Sequence, residues 1–271
     1  MQTYAHVDAE GWELPLLKSD LIEAPFAHGF STRAGGVSAP PYATLNMGAR
    51  WGDGLANVVE NRRRLLRAVG VVGPLYVARQ VHGKAVVRLR AGDDPADVAR
   101  LEADALITED ANVTVGVFVA DCVPVLIADP RTGAVAAAHA GWRGTVAGVL
   151  PAVVRELVNQ LGARPDDLRV ALGPAIGPCC FEVGAEVVAA FQAALGTSAS
   201  GVVAPSPRGV KDKWHVDLKA ANRVLLERAG VKTDAIDAGP ECTCHDAARF
   251  FSYRRDREGG QQMGIVARRG S

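Results

Sequence analysis

The sequence predicts an α+β fold, in which mixed β-sheets are layered between outer helices as an α/β/β/α sandwich. Short apolar or alternating runs outnumber helical patterns, and several of these runs are joined by tight turns. They do not alternate regularly with helices, as the strands of a doubly wound sheet would. No linker or change in composition divides the 271 residues, and a chain of this length can bury a large core as one unit. We therefore expect a single domain over residues 1–271.

Hydrophobic periodicity and the positions of Gly and Pro define the individual elements. Helices are predicted at 56–70, 145–162, 184–195 and 217–230, and Pro151 is expected near the first turns of the second helix or at a kink. Strands are predicted at 75–83, 84–92, 104–110, 113–121, 123–129, 134–139, 168–174, 249–256 and 263–269, of which 123–129 and 134–139 should form a hairpin. The stretch from Phe30 to Gly48 is predicted to be a long ordered loop, and such loops often carry function.

Composition and charge argue against several classes of protein. The formal net charge is zero, which gives no sign of a nucleic-acid partner or of binding to a membrane surface. The N-terminus lacks a basic segment followed by an apolar one, and the apolar runs are too short to span a membrane. Five cysteines, an odd number in a long chain, do not suggest a disulfide framework. A cytoplasmic protein without an obligate protein partner is the simplest expectation.

Cys122 directly follows Asp121, between two predicted apolar strands. A cysteine in a core is often only a small apolar side chain, and this interpretation remains open here. A carboxylate in the middle of an apolar run, however, needs a partner or solvent. The adjacent Asp121 and Cys122 therefore suggest a cleft at the end of a strand.

The segment HAGWRG begins at His139, at the end of a predicted strand and before a predicted helix. Gly141 and Gly144 permit unusual backbone angles and the close approach of a ligand. The start of a helix offers unpaired N–H groups to an anion, and the guanidinium of Arg143 would add to them. The alternative is a solvent-exposed turn before a helix.

His82 ends another predicted strand, beside Gly83. A single histidine at a turn is usually an ordinary polar surface residue. With Cys122 and His139, however, it makes two imidazoles and one thiolate, a good ligand set for zinc. Three protein ligands leave one coordination position free, which is typical of catalytic zinc. The three residues are far apart in the chain, so the fold must bring them together.

Two other groups of cysteines are also considered as candidate functional residues. Cys242, Cys244 and His245 lie together in ECTCHD, but this pattern lacks the second pair of ligands that a structural zinc site needs, and it is interpreted as a loop at the edge of a pocket. Cys179 and Cys180 lie in the Gly- and Pro-rich segment 173–184, which is predicted to be a tight loop with positive-φ positions. We expect these adjacent cysteines to be buried thiols rather than a disulfide.

Several motifs occur in order along the chain: FSTRAGGVS, LNMG, RQVHG, ADCVPVLIAD, AAHAGWRGT, GPAIGPCCFEVG and FFSYRRD. In this order they resemble the YfiH-like family, also called the multicopper polyphenol oxidoreductase laccase family, over almost the whole chain. The resemblance implies a single domain of mixed sheets with outer helices, and Zn²⁺ held by His82, Cys122 and His139. It further implies a purine nucleoside phosphorylase that also deaminates adenosine and cleaves methylthioadenosine. The sequence departs from the family at Phe181, where Tyr is common, and at Gln261, where a Gly-Arg pair is usual.

Phosphorolysis of a purine nucleoside requires particular groups around the substrates. Phosphate needs cationic or N–H donors, for which Arg33, Arg143 and the helix start after Gly144 are candidates. Asn46 is a candidate for binding a sugar hydroxyl or a base edge. Asp121 is a candidate for positioning or for general-acid catalysis. Zinc would orient phosphate or nucleoside, and it would activate water for deamination.

Three other functions remain open. A metal-free cysteine hydrolase or amidase would use Cys122 as nucleophile and His139 as base. Copper would support polyphenol oxidase chemistry, but a multicopper oxidase needs more imidazole ligands than the six histidines of this chain supply. The third is a protein that edits or monitors cell-wall precursors. Release of free base from inosine only in the presence of phosphate would distinguish the phosphorylase from this last alternative.

Overall fold

The strands of the molecule fall into three sheets. The computed structural model describes residues 1–7, 11, 13–207 and 209–270, and the statements that follow concern these residues. The strands are β1 Gln2–Val7, β2 Glu13–Lys18, β3 Phe26–Ser31, β4 Leu75–Tyr76, β5 Val86–Arg88, β6 Ala105–Thr108, β7 Thr114–Val119, β8 Val123–Ala128, β9 Val135–Ala140, β10 Arg169–Leu172, β11 Glu182–Val183, β12 Val203–Pro205, β13 Trp214–Val216, β14 Ile236–Ala238 and β15 Gln262–Arg268.

The helices lie mainly in the second half of the described chain. They are α1 Leu55–Val69, α2 Pro95–Val98, α3 Trp142–Ala147, α4 Val149–Leu161, α5 Ala185–Leu195, α6 Leu218–Arg228 and α7 Tyr253–Asp256. Short 3₁₀ helices occupy Pro165–Asp167, Gly196–Gly201 and Thr233–Ala235. None of the described helices is both long and apolar enough to cross a membrane.

Two of the sheets have six described strands each. The order is β1-β2-β3-β15-β7-β4 in the first sheet and β14-β10-β8-β9-β6-β5 in the second. Both are mixed: β15 is antiparallel to β3 and β7, whereas β4 is parallel to β7 and β5 is parallel to β6. A small third sheet has the order β11-β13-β12.

The two large sheets pack face to face, with helices on their outer faces. Phe30, Val115 and Val117 of the first sheet share a buried cluster with Leu126 and Ala137 of the second. The other face of the second sheet packs against α3 to α6, and the other face of the first sheet packs against α1. The predicted α+β class and the α/β/β/α layering are therefore confirmed.

The central strand β8 explains why the sequence around Cys122 is so apolar. Val123, Val125 and Ile127 face the helices, whereas Leu126 and Ala128 face the first sheet. Alternate residues of a strand point to opposite faces, so a strand between two packed layers needs apolar residues at every position. The predicted hairpin of 123–129 and 134–139 is confirmed, since β8 and β9 pair antiparallel over six residues each.

Helix boundaries follow the sequence signals closely. Helix α1 ends at Gly70, whose φ of +75° is favourable only for glycine. The predicted helix over 145–162 is two helices, because Gly148 interrupts it with a φ of +83°. Pro151 lies in the first turn of α4, as expected.

Four predicted elements are wrong or too long. Of the strand predicted at 84–92, only Val86–Arg88 is a strand. Residues 249–256 are not a strand: they form a loop followed by α7, in which Ser252 Oγ accepts a hydrogen bond from the Arg255 N–H. Only Leu75–Tyr76 of the strand predicted at 75–83 is a strand. The loop predicted from Phe30 begins two residues later, because Phe30 and Ser31 belong to β3.

The segment 173–184 is a tight loop without the predicted positive-φ glycines in this described stretch. Close packing instead restricts two of its glycines: a Cβ on Gly173 would lie 2.4 Å from the ring of Phe30, and a Cβ on Gly177 would lie 3.2 Å from the Cβ of Cys242. All five cysteines are free thiols, so the absence of a disulfide here agrees with expectation. Cys179 is exposed and Cys180 half-buried, however, so the prediction that both are buried is wrong.

Candidate metal centre and cavity

Two of the three predicted metal ligands lie where the chain passes from one large sheet to the other. Residues 120–122 connect β7 to β8, and Asp121 has a φ of +92° at this corner. His82 lies in the connection from β4 to β5, with a φ of +61°. His139 lies within β9, opposite Pro124 of β8. Three separate segments thus present side chains at the same end of the sheets.

His82, Cys122 and His139 converge on one point. One potential ligand atom from each lies within 4.8 Å of the other two. The Sγ of Cys122 is 3.9 Å from the Nε2 of His82, and the two imidazole rings meet edge to face with centroids 4.8 Å apart. His139 is buried, while the other two are half-buried and reach the cavity described below. This convergence is the geometry that a metal site requires.

Asp104, which the sequence analysis missed, holds two of these residues in place. Its buried carboxylate accepts a hydrogen bond from His139 Nδ1 at 2.8 Å. It also accepts backbone N–H bonds from His82 at 2.9 Å and from Gly83 at 2.7 Å. Although burial opposes its ionisation, these hydrogen bonds keep its pKa below the usual value. A carboxylate just before the buried strand β6 was the available signal, and it is the same signal that singled out Asp121.

The glycines of HAGWRG are explained by close packing against the cluster. A Cβ on Gly141 would lie 2.8 Å from Cys122 Sγ and 2.9 Å from His82 Cδ2. A Cβ on Gly144 would lie 3.0 Å from the carbonyl oxygen of Gly83. The sequence predicted the close approach of a ligand at these glycines, whereas the group that approaches them in the structure is the turn that carries His82.

Cys122 and His139 stabilise each other's charged forms. Burial opposes ionisation of the thiol, but the charge of His139 and hydrogen bonds with both imidazoles outweigh it and lower the pKa of Cys122 to about 6. Burial likewise opposes protonation of His139, yet the Cys122 thiolate and the Asp104 carboxylate raise its pKa to about 9. The cluster thus favours a thiolate, the form in which cysteine binds metals and acts as a nucleophile.

The cluster lies on the wall of a cavity of about 1030 Å³. The rings of Trp51 and Tyr253 are stacked on this wall with centroids 6.0 Å apart. The other aromatic rings and the arginines among the described lining residues are Phe118, Phe181, Arg50, Arg62, Arg79 and Arg254. Asp121 is the one carboxylate in that described lining, so the wall combines aromatic surface with positive charge.

Asp121 lines the cavity, but both of its carboxylate oxygens already have partners. The Thr243 hydroxyl donates to Oδ1 at 2.7 Å, and the Arg254 backbone N–H donates to Oδ2 at 2.6 Å. Its carbonyl oxygen also accepts from the Ile176 N–H at 2.9 Å. Asp121 therefore ties its corner to three other segments of the chain, and the geometry favours positioning over general-acid catalysis.

The three remaining predicted site residues do not belong to the described lining of the cavity. Arg33 donates to the carbonyl oxygens of Ala43 and Ala247 and lies over a phenylalanine ring. Asn46 is buried and accepts an N–H bond from Gln261 at 2.9 Å while donating to Asp53 and Gly48. These two hold the loop 33–53, and their predicted contacts with substrate gain no support from the geometry.

Arg143 also departs from expectation. It is exposed on α3 and lies over its neighbour Trp142, with the guanidinium carbon 4.4 Å from the ring centroid. The helix itself begins at Trp142, before the predicted start. The cationic residues on the wall of the cavity are instead Arg50, Arg62, Arg79 and Arg254. These four could not be singled out from the sequence, because arginines are common throughout the chain and carry no local signal of a site.

The two residues at which the sequence departs from the family motifs both line the cavity. Phe181 and Gln261 are part of its described lining. Phe181 lies under the guanidinium of Arg254, whose carbon is 5.3 Å from the ring centroid. Differences at these positions therefore change the surface that faces a ligand.

The chain is similar to known proteins over most of its length. A family profile described as "Multi-copper polyphenol oxidoreductase laccase" matches residues 27–269. The protein named purine nucleoside phosphorylase of Deinococcus radiodurans is 43% identical over 245 residues, which cover 90% of this chain and 88% of that protein. Purine nucleoside phosphorylase YfiH of Escherichia coli is 40% identical over 236 residues, covering 87% of this chain and 91% of that protein.

Solved structures show the same fold. The crystal structure of YlmD from Geobacillus stearothermophilus has a TM-score of 0.87 at 34% identity, covering 99% of this chain and all of that one. The Bacillus licheniformis hypothetical protein YfiH has a TM-score of 0.88 at 30% identity, covering 97% and 98% of the two chains. By profile, sequence and structure alike, the chain belongs to the YfiH-like multicopper polyphenol oxidoreductase laccase family that its motifs resemble.

Proposed function

We propose that this protein is a zinc-dependent purine nucleoside phosphorylase, which converts adenosine, inosine or guanosine and phosphate to the free base and ribose 1-phosphate. One observation carries the proposal: two imidazoles and a thiol converge on the wall of a large cavity in a chain whose relatives are named purine nucleoside phosphorylases. Adenosine deamination and methylthioadenosine cleavage are proposed as side activities of this site. The proposed domain covers residues 1–271, of which 8–10, 12, 208 and 271 lie outside the described residues.

The donor set fits zinc. Tetrahedral bonds of about 2.1 Å to nitrogen and about 2.3 Å to sulfur separate ligand atoms by about 3.3–3.8 Å. The distance of 3.9 Å from Cys122 Sγ to His82 Nε2 is close to this range. The Nδ1 of His139 is engaged by Asp104, which leaves Nε2 as its ligand atom. Histidine, histidine and cysteine would thus hold the ion and leave a fourth position open toward the cavity.

Zinc, when bound there, supplies a Lewis acid beside the nucleoside and phosphate. The chain supplies the surroundings that fix its ligands. Asp104 holds His139 in the tautomer with a free Nε2 and fixes the turn that carries His82. Asp121 holds the adjoining corner rigid through Thr243 and the backbone of Arg254.

The positive charge on the cavity wall suits phosphate. Arg62 is oriented by a 2.9 Å hydrogen bond from Nε to the Met47 carbonyl oxygen and by the ring of Phe118, with its guanidinium carbon 4.8 Å from the ring centroid. A guanidinium fixed in this way loses little further freedom when it binds an oxyanion. We therefore assign phosphate binding to the arginines of the wall, with Arg62 as the main candidate. Trp51 and Tyr253 offer aromatic faces for the base.

The test is release of hypoxanthine from inosine, with and without phosphate, by zinc-loaded protein. We expect turnover only with phosphate, and loss of both bound zinc and turnover in His139→Ala. The exposed His245 provides a matched control, because His245→Ala removes an imidazole outside the cavity lining. Undiminished phosphorolysis by His139→Ala would contradict the proposal.

A metal-free cysteine hydrolase is the second candidate, because Cys122 and His139 favour a thiolate and an imidazolium. Zinc and an alkylating agent compete for the same sulfur. We expect Cys122 to be alkylated rapidly in metal-free protein and to be protected in the zinc-loaded, active form. Activity that survives removal of zinc and disappears on alkylation would favour the hydrolase.

A further inference from the structure

Three cysteines outside the centre described above form a second cluster. Cys179, Cys180 and Cys242 each place a sulfur within 4.8 Å of the other two. The first two are neighbours in the loop after β10, and the third lies 62 residues after Cys180, in the segment between β14 and α7. The chemistry of the proposed phosphorylase uses none of them.

Local structure holds these two segments together independently of any ion. Ala175 and Cys242 form a parallel β-bridge, and the Thr243 N–H donates to the Ala175 carbonyl oxygen at 3.0 Å. Gly177 allows close contact, since a Cβ there would lie 3.2 Å from the Cβ of Cys242. The cysteine sulfurs are therefore brought together by backbone pairing, and the site is formed before it binds anything.

A backbone N–H group is directed at the most buried sulfur. The Gly177 N–H donates to Cys242 Sγ at 3.1 Å. Such bonds stabilise a thiolate, and hydrogen bonds to ligand sulfurs are a regular feature of thiolate metal sites. This arrangement is unnecessary for a cysteine that only fills space.

We propose that Cys179, Cys180 and Cys242 form a second metal site, which takes a thiophilic ion of the Zn²⁺ or Cu⁺ type. Soft thiolate ligands select these ions. The pair at 179–180 adds two ligands from another segment to Cys242, the one residue of ECTCHD in the three-sulfur group. Cys244 lies outside the three-sulfur group.

The sulfur spacing suits a shared ion better than a disulfide. Cys179 Sγ and Cys180 Sγ are 3.6 Å apart, whereas bonded sulfurs are about 2.05 Å apart. Two sulfurs on one zinc at about 2.3 Å are separated by about 3.8 Å. An ion therefore fits between the sulfurs with little movement of the loops.

The position of this site assigns it a structural role. The loop with Cys179 and Cys180 also carries Ile176 and leads to Phe181, both on the cavity wall. Thr243, next to Cys242, holds Asp121 on the same wall. An ion bound here would fix to each other the two segments that support this wall.

The experiment counts ions. Reduced, metal-free protein is loaded with Zn²⁺, or anaerobically with chelated Cu⁺, and bound metal per chain is measured after desalting. We expect two Zn²⁺ per chain in the wild type and one in Cys242→Ser, Cys179→Ser or Cys122→Ser. Cys244→Ser is the matched control and should keep two. The Cu⁺ arm shows which of the two ions the three-sulfur site retains against a competing chelator.

A second readout identifies the sulfurs. Cobalt loaded into Cys122→Ser should show the intense sulfur-to-metal absorption of a three-thiolate site. Adding Cys179→Ser to this variant should weaken that absorption. Cys179 is exposed, so its substitution keeps the test valid if Cys242→Ser fails to fold. One ion in the wild type, two ions retained in both Cys179→Ser and Cys242→Ser, or a disulfide among these cysteines in protein isolated under reducing conditions would overturn the proposal.

Discussion

The Nδ1–H of His139 donates a 2.8 Å hydrogen bond to the buried carboxylate of Asp104, and the backbone N–H of His139 donates to the Asp104 carbonyl oxygen at 2.7 Å. The same carboxylate fixes the backbone of His82. One residue thus orients the ring of His139 and fixes the backbone that carries the second imidazole. Because carboxylates behind metal-binding histidines fix the tautomer and the ring, we treat Asp104 as a positioning residue.

Replacement of Asp104 by Asn should weaken zinc binding and activity about 10- to 100-fold, the usual cost of losing such a partner. The affinity is measured by competition with a chelator, alongside kcat/KM for inosine. Added zinc should restore much of the activity, which a merely unfolded variant would not show. Asp97→Asn, an exposed carboxylate on α2, is the control. Unchanged zinc affinity in Asp104→Asn would refute the positioning role.

Gly141→Ala should lose zinc while remaining folded. The added methyl would lie 2.8 Å from Cys122 Sγ, so the sulfur and the His82 ring must move apart. Bound zinc and the melting temperature are the measurements. Gly201→Ala is the comparison, since no described atom lies within 4 Å of a Cβ placed there. Full zinc occupancy in Gly141→Ala would show that the cluster is looser than its geometry indicates.

Arg62→Gln should raise the KM for phosphate about 10-fold or more, because removal of a hydrogen bond to a charged group costs about 1.5–3 kcal/mol. Arg143→Gln should leave that KM nearly unchanged, since Arg143 lies outside the described lining of the cavity. Both values come from initial rates at saturating inosine. The opposite ranking would restore the role that the sequence predicted for Arg143.

Stability should fall in acid because of His28, a buried residue of β3 whose Nε2 accepts the Ser19 N–H at 2.9 Å. Burial, helped by the charge of Lys18 against weaker opposition from Asp237 and Asp20, lowers the pKa of His28 to about 4. Between pH 6.5 and about 4 only the unfolded chain binds this proton. The free energy of unfolding should therefore drop as pH falls through this range, by about 1–2 kcal/mol between pH 7 and pH 5.

Urea unfolding at the two pH values measures this effect. His28→Gln keeps an acceptor for Ser19 and should remove most of the pH dependence. His245→Gln, at an exposed position, should leave it unchanged. Equal acid sensitivity of His28→Gln and the wild type would assign the proton to another group.

Much of the fold could be predicted because local signals and tertiary structure agree. Helix α1 ends at the glycine that its sequence indicates, and the turn at 129–133 joins β8 to β9. Residues 249–256 were wrongly predicted to be a strand, because two adjacent phenylalanines are typical of strands. The side chains of Asp246 and Ser252 instead accept hydrogen bonds from backbone N–H groups, which favours turns and a helix start. In β2, Pro15 obscures a strand, since proline lowers strand propensity.

Some residues of the candidate site could also be predicted from the sequence, and others could not. A cysteine beside an aspartate and two histidines near glycines, all at predicted strand ends, are visible in the sequence, and the fold brings the three together. The contacts of Arg33 and Asn46 were not visible, because nothing local shows that backbone carbonyls and a distant loop occupy these polar groups. Arg62 was missed for the converse reason: only the tertiary fold places a residue of α1 on the cavity wall.

The corner at 120–122 limits where members of this family can gain or lose residues. It spans the passage between two sheets in three residues, and each added residue lengthens a chain by up to about 3.6 Å. A single insertion there would carry the thiol away from the imidazoles even with every ligand retained. Insertions and deletions should accumulate in surface loops such as 209–213, whereas the number of residues at this corner should stay as constant as the identity of Cys122 itself.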